Sequence, residues 1–120
     1  MTTANRAVAE AFSRHDFAAT FDRLADAVEW RNIGGDDFRG KPAVIEACTT
    51  AAAYFETIRT AFEPFRVVDA GNTFVVQSKA AYINDRETST VASCDIYEFA
   101  DAMLTTITSY NVELLQEPSR

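Results

Sequence analysis

Asp95-Ile96-Tyr97-Glu98-Phe99 is the segment best suited to acid–base chemistry. Alternation along a strand puts Asp95, Tyr97 and Phe99 on one face and Cys94, Ile96 and Glu98 on the other. A carboxyl group among aromatic neighbours loses hydration. The same Asp is equally at home as a buried residue satisfied by a Tyr hydroxyl or a backbone N–H. Asn32 either orients a ligand or caps the turn before Gly34-Gly35. Asn111 shares a predicted strand face with Thr105, Ile107 and Ser109, and either hydrogen-bonds a ligand or is solvated at a strand end. Trp30 lines a cavity or belongs to the core.

His15 is the single imidazole of the chain. Its place at the junction of two helices, beside Asp16, points to a structural or exposed residue rather than a general base. Asp36-Asp37 are two loop carboxylates without further ligands, a solvated pair rather than a cation site. Cys48 and Cys94 fall in different predicted elements, and with one His and no C-x-x-C spacing there is no zinc signature. They read as small hydrophobes in a reducing compartment. No metal and no cofactor is expected.

These side chains are to be positioned by helices first and strands after. Val8, Ala11, Phe12 and His15 recur at helical spacing, which predicts a helix over residues 4–14. Asp16 is placed to cap a second helix with Phe17, Phe21, Leu24 and Ala25 on its apolar face. Val28 to Asn32 reads as a strand, and Gly34-Gly35-Asp36-Asp37 as a turn. Pro42 starts a third helix with Val44, Ala47, Cys48, Ala51, Phe55 and Ile58 on one face, running no further than Phe62 before Pro64. Strands follow at 65–68, 73–83, 88–99 and 103–114, joined by short turns that imply antiparallel pairing. The chain thus reads as one α+β domain over 1–120.

At 120 residues and 48% hydrophobic, with nine Phe, the chain has enough apolar mass for a packed core or an apolar cavity. A formal charge of −7 repels phosphate backbones and anionic lipid, so neither nucleic acid nor membrane is an expected partner. The N-terminal residues lack an apolar h-region and no stretch reaches membrane-spanning length, so a cytoplasmic protein is expected.

The order of elements resembles the nuclear transport factor 2-like superfamily, and within it the SnoaL-like and ketosteroid-isomerase-like branch. The segments that carry the resemblance are 11–17 (Ala-Phe-Ser-Arg-His-Asp-Phe), 26–30 (Asp-Ala-Val-Glu-Trp), 38–44 (Phe-Arg-Gly-Lys-Pro-Ala-Val), 95–99 and the last strand through Tyr110-Asn111. It implies a cone-shaped cystatin-like fold, with N-terminal helices cupped by a curved, mostly antiparallel sheet around a pocket. It also implies that Asp95 is the pocket acid, facing the pocket between aromatic neighbours, where desolvation would favour its neutral form and let it donate a hydrogen bond to a carbonyl oxygen. Phe12, Trp30, Tyr97 and Ile107 would form the walls, with Asn32 and Asn111 orienting the ligand.

Departures from the family pattern matter as much. Where ketosteroid isomerases carry a Tyr on the first helix this chain has Val8, and where they carry a carboxylate base it has Trp30 or Arg31. Where the epoxide-hydrolase branch carries Tyr-x-Asn, Trp30-Arg31-Asn32 keeps only the Asn. The resemblance therefore implies a small-molecule pocket protein. It would be a cofactor-independent isomerase, cyclase or hydratase acting on an apolar oxygenated substrate, or a non-catalytic binding or dimerisation module. It further implies a homodimer through the outer sheet face, where Leu104, Thr106, Thr108 and Tyr110 are expected beside Cys94 and Ile96.

Overall fold

A computed structural model describes residues 2–115; Met1 and residues 116–120, part of the expected domain, lie outside the described residues. Helix α1 (Thr2–Ser13) buries Asn5, Val8, Ala9, Phe12 and Ser13, a stripe at i, i+3, i+4 spacing. Its end is sharply defined. His15 N–H donates to the Phe12 carbonyl at 3.0 Å, and Asp16 N–H donates to the Ala11 carbonyl at 2.9 Å. These two bonds make a Schellman stop, with His15 at φ 70° in the left-handed position where Gly is usual.

The second helix is a correction. Residues Phe17–Arg23 form a 3₁₀ helix, and Asp16 makes no side-chain cap bond to it. Leu24 and Ala25 belong instead to strand β1 (Leu24–Asn32), because fully buried Leu24 pairs with Leu104 across the sheet. Sheet pairing outweighs the local helical periodicity. Asn5 clamps this region: its amide donates to the Asp101 carbonyl at 2.9 Å and accepts from Arg23 at 2.7 Å.

Strand β2 (Asp37–Arg39) returns along β1, and helix α2 (Lys41–Phe55) follows, with Pro in its first turn and Val44 and Cys48 fully buried. Here too the expected helix was too long. Arg59–Phe62 form strand β3, which pairs with the far end of β5 in register Arg59↔Ile83 to Phe62↔Ala80. The edge of β5 supplies hydrogen-bond partners that a further helical turn would not.

Strands β4 (Arg66–Asp69), β5 (Thr73–Ile83), β6 (Thr88–Ala100) and β7 (Met103–Leu114) complete a sheet ordered β2-β1-β7-β6-β5-β3, with β4 also on β5. The β1–β7 pair is parallel and the other pairings are antiparallel. This is the expected α+β cone: the helices lie in the concave side of one curved, mostly antiparallel sheet.

One β7 expectation is overturned. A register shift between Glu98 and Phe99 makes Phe99 pair with Leu104 while Glu98 pairs with Thr106. That bulge reverses the alternation, so Leu104 is fully buried in the core rather than on the outer face. Thr105, expected beside Ile107 on the inner face, instead bonds the Glu98 carbonyl through its hydroxyl at 2.9 Å and is not among the core residues. Among the described residues no helix is long and apolar enough to cross a membrane.

Candidate functional site

The cone encloses a cavity of about 440 Å³ between α1, the end of α2 and the inner faces of β1, β3, β5, β6 and β7. Its floor is a hydrogen-bonded set built on alternate inward positions. Ser13, the last residue of α1, donates its hydroxyl to Asp95 Oδ2 at 2.8 Å. Ser13 Oγ also lies 2.6 Å from the Tyr97 hydroxyl. With the Ser13 proton committed to Asp95, the Tyr97 hydroxyl is the donor in that second bond. On the other side Trp30 Nε1–H donates to Ser109 Oγ at 3.0 Å, and Ser109 hydrogen-bonds Asp95. Asp95 therefore receives two serine hydroxyls, each held in place by an aromatic donor behind it. Opposing positions across the ladder explain the meeting: Asp95 pairs with Ser109 and Tyr97 with Ile107 on β6–β7.

The electrostatics follow from burial. Asp95 is 9% exposed, and loss of hydration lifts its carboxyl above the usual carboxylate range. The bonds from Ser109, Ser13 and Tyr97 pull the other way without cancelling that effect. Tyr97 is fully buried, and burial together with the nearby Asp95 charge raises its phenol.

The side wall is aromatic. Phe12 and Trp30 meet edge to face with centroids 5.0 Å apart, and Trp30 leans on Phe38 at 5.8 Å. Trp30 is thus drawn to one end of the cone and leaves the rest open. Phe55 and Tyr82 close the opposite side, with Phe62 beside them. His15 lies flat on Phe55, centroids 4.0 Å apart and planes 3° from parallel. Burial there lowers its imidazole to about 4, so it is neutral at physiological pH.

Of the residues singled out in the sequence, Phe12, Trp30, Asn32, Asp95 and Asn111 line this cavity. Asn32 spends its amide on the Asp36 carbonyl at 3.1 Å, the turn-capping bond, while still facing the cavity. Asn111 is exposed at the rim and accepts from Ser93 at 2.6 Å. Tyr97 and Ile107, expected in the walls, lie behind them instead, fully buried in the core. Val8 is also in the core, and Arg31 points outward to Glu29 at 3.2 Å.

The polar cavity residues that the sequence reading missed include Ser13, His15 and Ser109, with Ser78, Ser89 and Ser93 on β5 and β6. Ser13 had a signal: it is a polar residue on the buried stripe of α1, four positions after Ala9. Ser109 had one in its alternation with Ile107. His15 shared the predicted helical stripe with Val8, Ala11 and Phe12 but was set aside as a junction residue, and its aim is set by the left-handed turn that ends α1. Cys48 is buried and its thiol is raised to about 12, in keeping with an inert hydrophobe. Among the described residues no group of His, Cys, Asp and Glu is arranged to hold a metal.

Residues 5–107 match the family model for the SnoaL-like domain. The chain belongs to the SnoaL-like domain family. A solved nuclear transport factor 2-like protein of unknown function from Cytophaga hutchinsonii is 30% identical. Its alignment covers 93% of this chain and 99% of that one, with a TM-score of 0.85. An LEH-like epoxide hydrolase from M. tuberculosis is 19% identical over 92% of this chain and 80% of its own, with a TM-score of 0.67. A provisional SnoaL-like polyketide cyclase from Jannaschia sp. is 14% identical over 91% and 85%, with a TM-score of 0.69. The last two share the fold alone. No protein of curated function matches the chain. Membership of the SnoaL-like family accounts for the cone and its cavity; the polar floor around Asp95 is what this chain builds inside it.

Proposed function

We propose that this SnoaL-like domain is a small-molecule pocket protein in which Asp95 acts as a carboxylic acid. It would donate a hydrogen bond to an oxygen of an apolar substrate in a cofactor-independent isomerisation, cyclisation or hydration. One observation carries the reading: a buried carboxyl faces a 440 Å³ aromatic cavity and is held above the usual carboxylate range by burial. The cavity suits an uncharged ligand with apolar and polar parts, since aromatic side chains share its wall with serine and asparagine side chains and Asp95 is its one carboxylate among the described lining residues. A single acid residue supplies about 10²–10⁴-fold in rate. A panel of fused-ring ketones, scored for α-proton exchange and for product, tests it. Asp95→Asn should lower turnover by that factor with ligand affinity kept, and unchanged turnover refutes the assignment.

A second reading is a binding module without chemistry. Two facts favour it: Val8 is buried in the core and Arg31 faces solvent, so neither brings a second reactive group to Asp95. Panel members that bind without exchanging or forming product decide for this reading.

A further inference from the structure

Ser78, Ser93 and Asn111 stand in one row across the concave face of the sheet. Ser78 on β5 pairs with Ser93 on β6, and Ser93 pairs with Asn111 on β7. Alternation puts Ser93 on the face of Asp95, two residues along β6, and Asn111 on the face of Ser109, two residues along β7. All three line the cavity. The row lies toward its mouth: Asn111 is exposed and the two serines are half-buried, whereas Phe12, Ser13, Asp95 and Ser109 are buried. Tyr54 borders the same cavity with 59% of its surface exposed.

The row keeps hydrogen-bonding capacity that the deeper serines have spent. Ser13 gives its proton to Asp95, and Ser109 is held between Trp30 and Asp95. Ser89, which also lines the cavity, gives its proton to Glu113 at 2.7 Å. In the row itself the Ser78 hydroxyl bonds no protein atom among the described residues. Ser93 gives its proton to Asn111 Oδ1 at 2.6 Å, which leaves the Ser93 oxygen as an acceptor and both amide protons of Asn111 as donors. Three positions, each one strand spacing of about 4.8 Å from the next, thus offer a hydroxyl, an acceptor and a double donor. That spacing matches hydroxyls on opposite sides of a six-membered sugar ring. Sugar hydroxyls each donate and accept, so they meet such a mixed set, whereas an ether or a ketone only accepts. No Lys or Arg is among the described lining residues, so nothing in the cavity recruits a phosphate or a carboxylate.

We propose that the row Ser78–Ser93–Asn111 is a subsite for a polyhydroxylated ring, so that the cavity takes an uncharged glycoside, its sugar at the mouth and its apolar aglycone among Phe12, Phe17 and Trp30. This rests on the reading of the cone as a small-molecule site and asks nothing of Asp95 as an acid. Tyr54 supplies the other half of a sugar site. The C–H face of a sugar packs against an aromatic ring while its hydroxyls take directional bonds, and this ring is left uncovered beside the cavity. A volume of about 440 Å³ falls within the range of small-ligand sites.

The test is the affinity of the whole protein for 2-naphthol and for its β-D-glucoside, β-D-galactoside and β-D-xyloside, measured by ligand-observed NMR. At least one glycoside should bind the native protein about tenfold more tightly than 2-naphthol, the worth of two modest hydrogen bonds. Ser78→Ala removes a hydroxyl that has no protein partner, and Asn111→Ala removes an exposed amide, so neither deletes a core contact. Each should lower the ratio of glycoside to naphthol affinity about threefold, and the double variant should bring it to about one, whatever happens to the absolute values. Native protein that binds 2-naphthol at least as tightly as all three glycosides overturns the sugar subsite and leaves the pocket reading standing. A glycoside preference that survives in the double variant overturns the assignment to this row. Absence of binding for every probe overturns the pocket reading and this inference with it.

Discussion

His15 makes a quantitative demand on acid stability. Burial lowers its folded value from 6.5 to about 4, while in the unfolded chain it titrates near 6.5. A lowered folded value means that the native state favours neutral imidazole. This group's contribution is therefore complete above pH 6.5 and is lost as pH falls from there to about 4. A difference of about 2.5 units at ~1.4 kcal/mol each sets an upper bound of about 3.5 kcal/mol. The ring is only partly covered, so solvent screening reduces this to about 2 kcal/mol. The comparison is native protein against His15→Phe, unfolded by urea at about pH 7 and again at about pH 4.5, with the single Trp30 as reporter. The variant carries a constant penalty for a bulky residue at φ 70°, so its absolute stability is lower, but that penalty is independent of pH. Native protein should lose about 2 kcal/mol more than the variant between the two conditions. Since the chain has one His, its imidazole NMR signal reports the titration without ambiguity. A midpoint near 6.5, or equal losses in the two proteins, refutes the placement of this ring among Phe55, Phe62 and Tyr82.

Asp95 has the opposite sign. Its folded value is raised above 3.8, so its contribution is complete below that value and lost as pH rises through the folded one; Asp95→Asn should gain stability relative to native protein as pH climbs from about 4 to about 8, and parallel curves contradict this. Ser13→Ala deletes the buried hydroxyl that bonds both Asp95 and Tyr97, leaving those two only each other and Ser109, which should cost about 1–3 kcal/mol in urea unfolding. Leu104→Ala should cost about 2–5 kcal/mol as a core truncation, whereas a residue on the outer face would cost less than about 0.5 kcal/mol. The outer face carries Tyr110, 44% exposed, and is expected to join two copies of the chain; sedimentation velocity should give a dimer that Tyr110→Glu dissociates, and a monomeric native protein contradicts this.

The fold was largely legible because its elements are long and strongly patterned. The strands 73–83, 88–99 and 103–114 read directly as alternation bounded by turns, and the Pro42 helix start was equally plain. What misled the reading was local pattern overruled by distant pairing. Leu24 and Ala25 continue a helical stripe yet are held by β7, and Arg59–Phe62 follow a helix yet are held by β5. The bulge at Glu98–Phe99 has no local signature, so alternation carried Leu104 to the wrong face.

The site was legible in proportion to how far strand alternation determines it. Asp95, Trp30, Asn32 and Asn111 face the cavity by simple periodicity or family pattern. Tyr97 follows the same alternation but is screened from the cavity by Ser13 and Asp95, a matter of depth that facing alone does not give. His15 continues the helical stripe of Val8, Ala11 and Phe12, yet its place between two expected helices beside Asp16 marked it as a junction residue. Its direction is set by two backbone hydrogen bonds and one positive φ.

The central claim is that Asp95 stands in a ligand cavity as a hydrogen-bond-donating acid. Its most direct test is the pH titration of the Asp95 side-chain carboxyl carbon by NMR, with and without α-tetralone. The account predicts a midpoint clearly above the ordinary carboxylate value of about 3.9 and a shift of that resonance when the ketone is added. A midpoint at or below the ordinary value, with a resonance indifferent to the ketone, contradicts it.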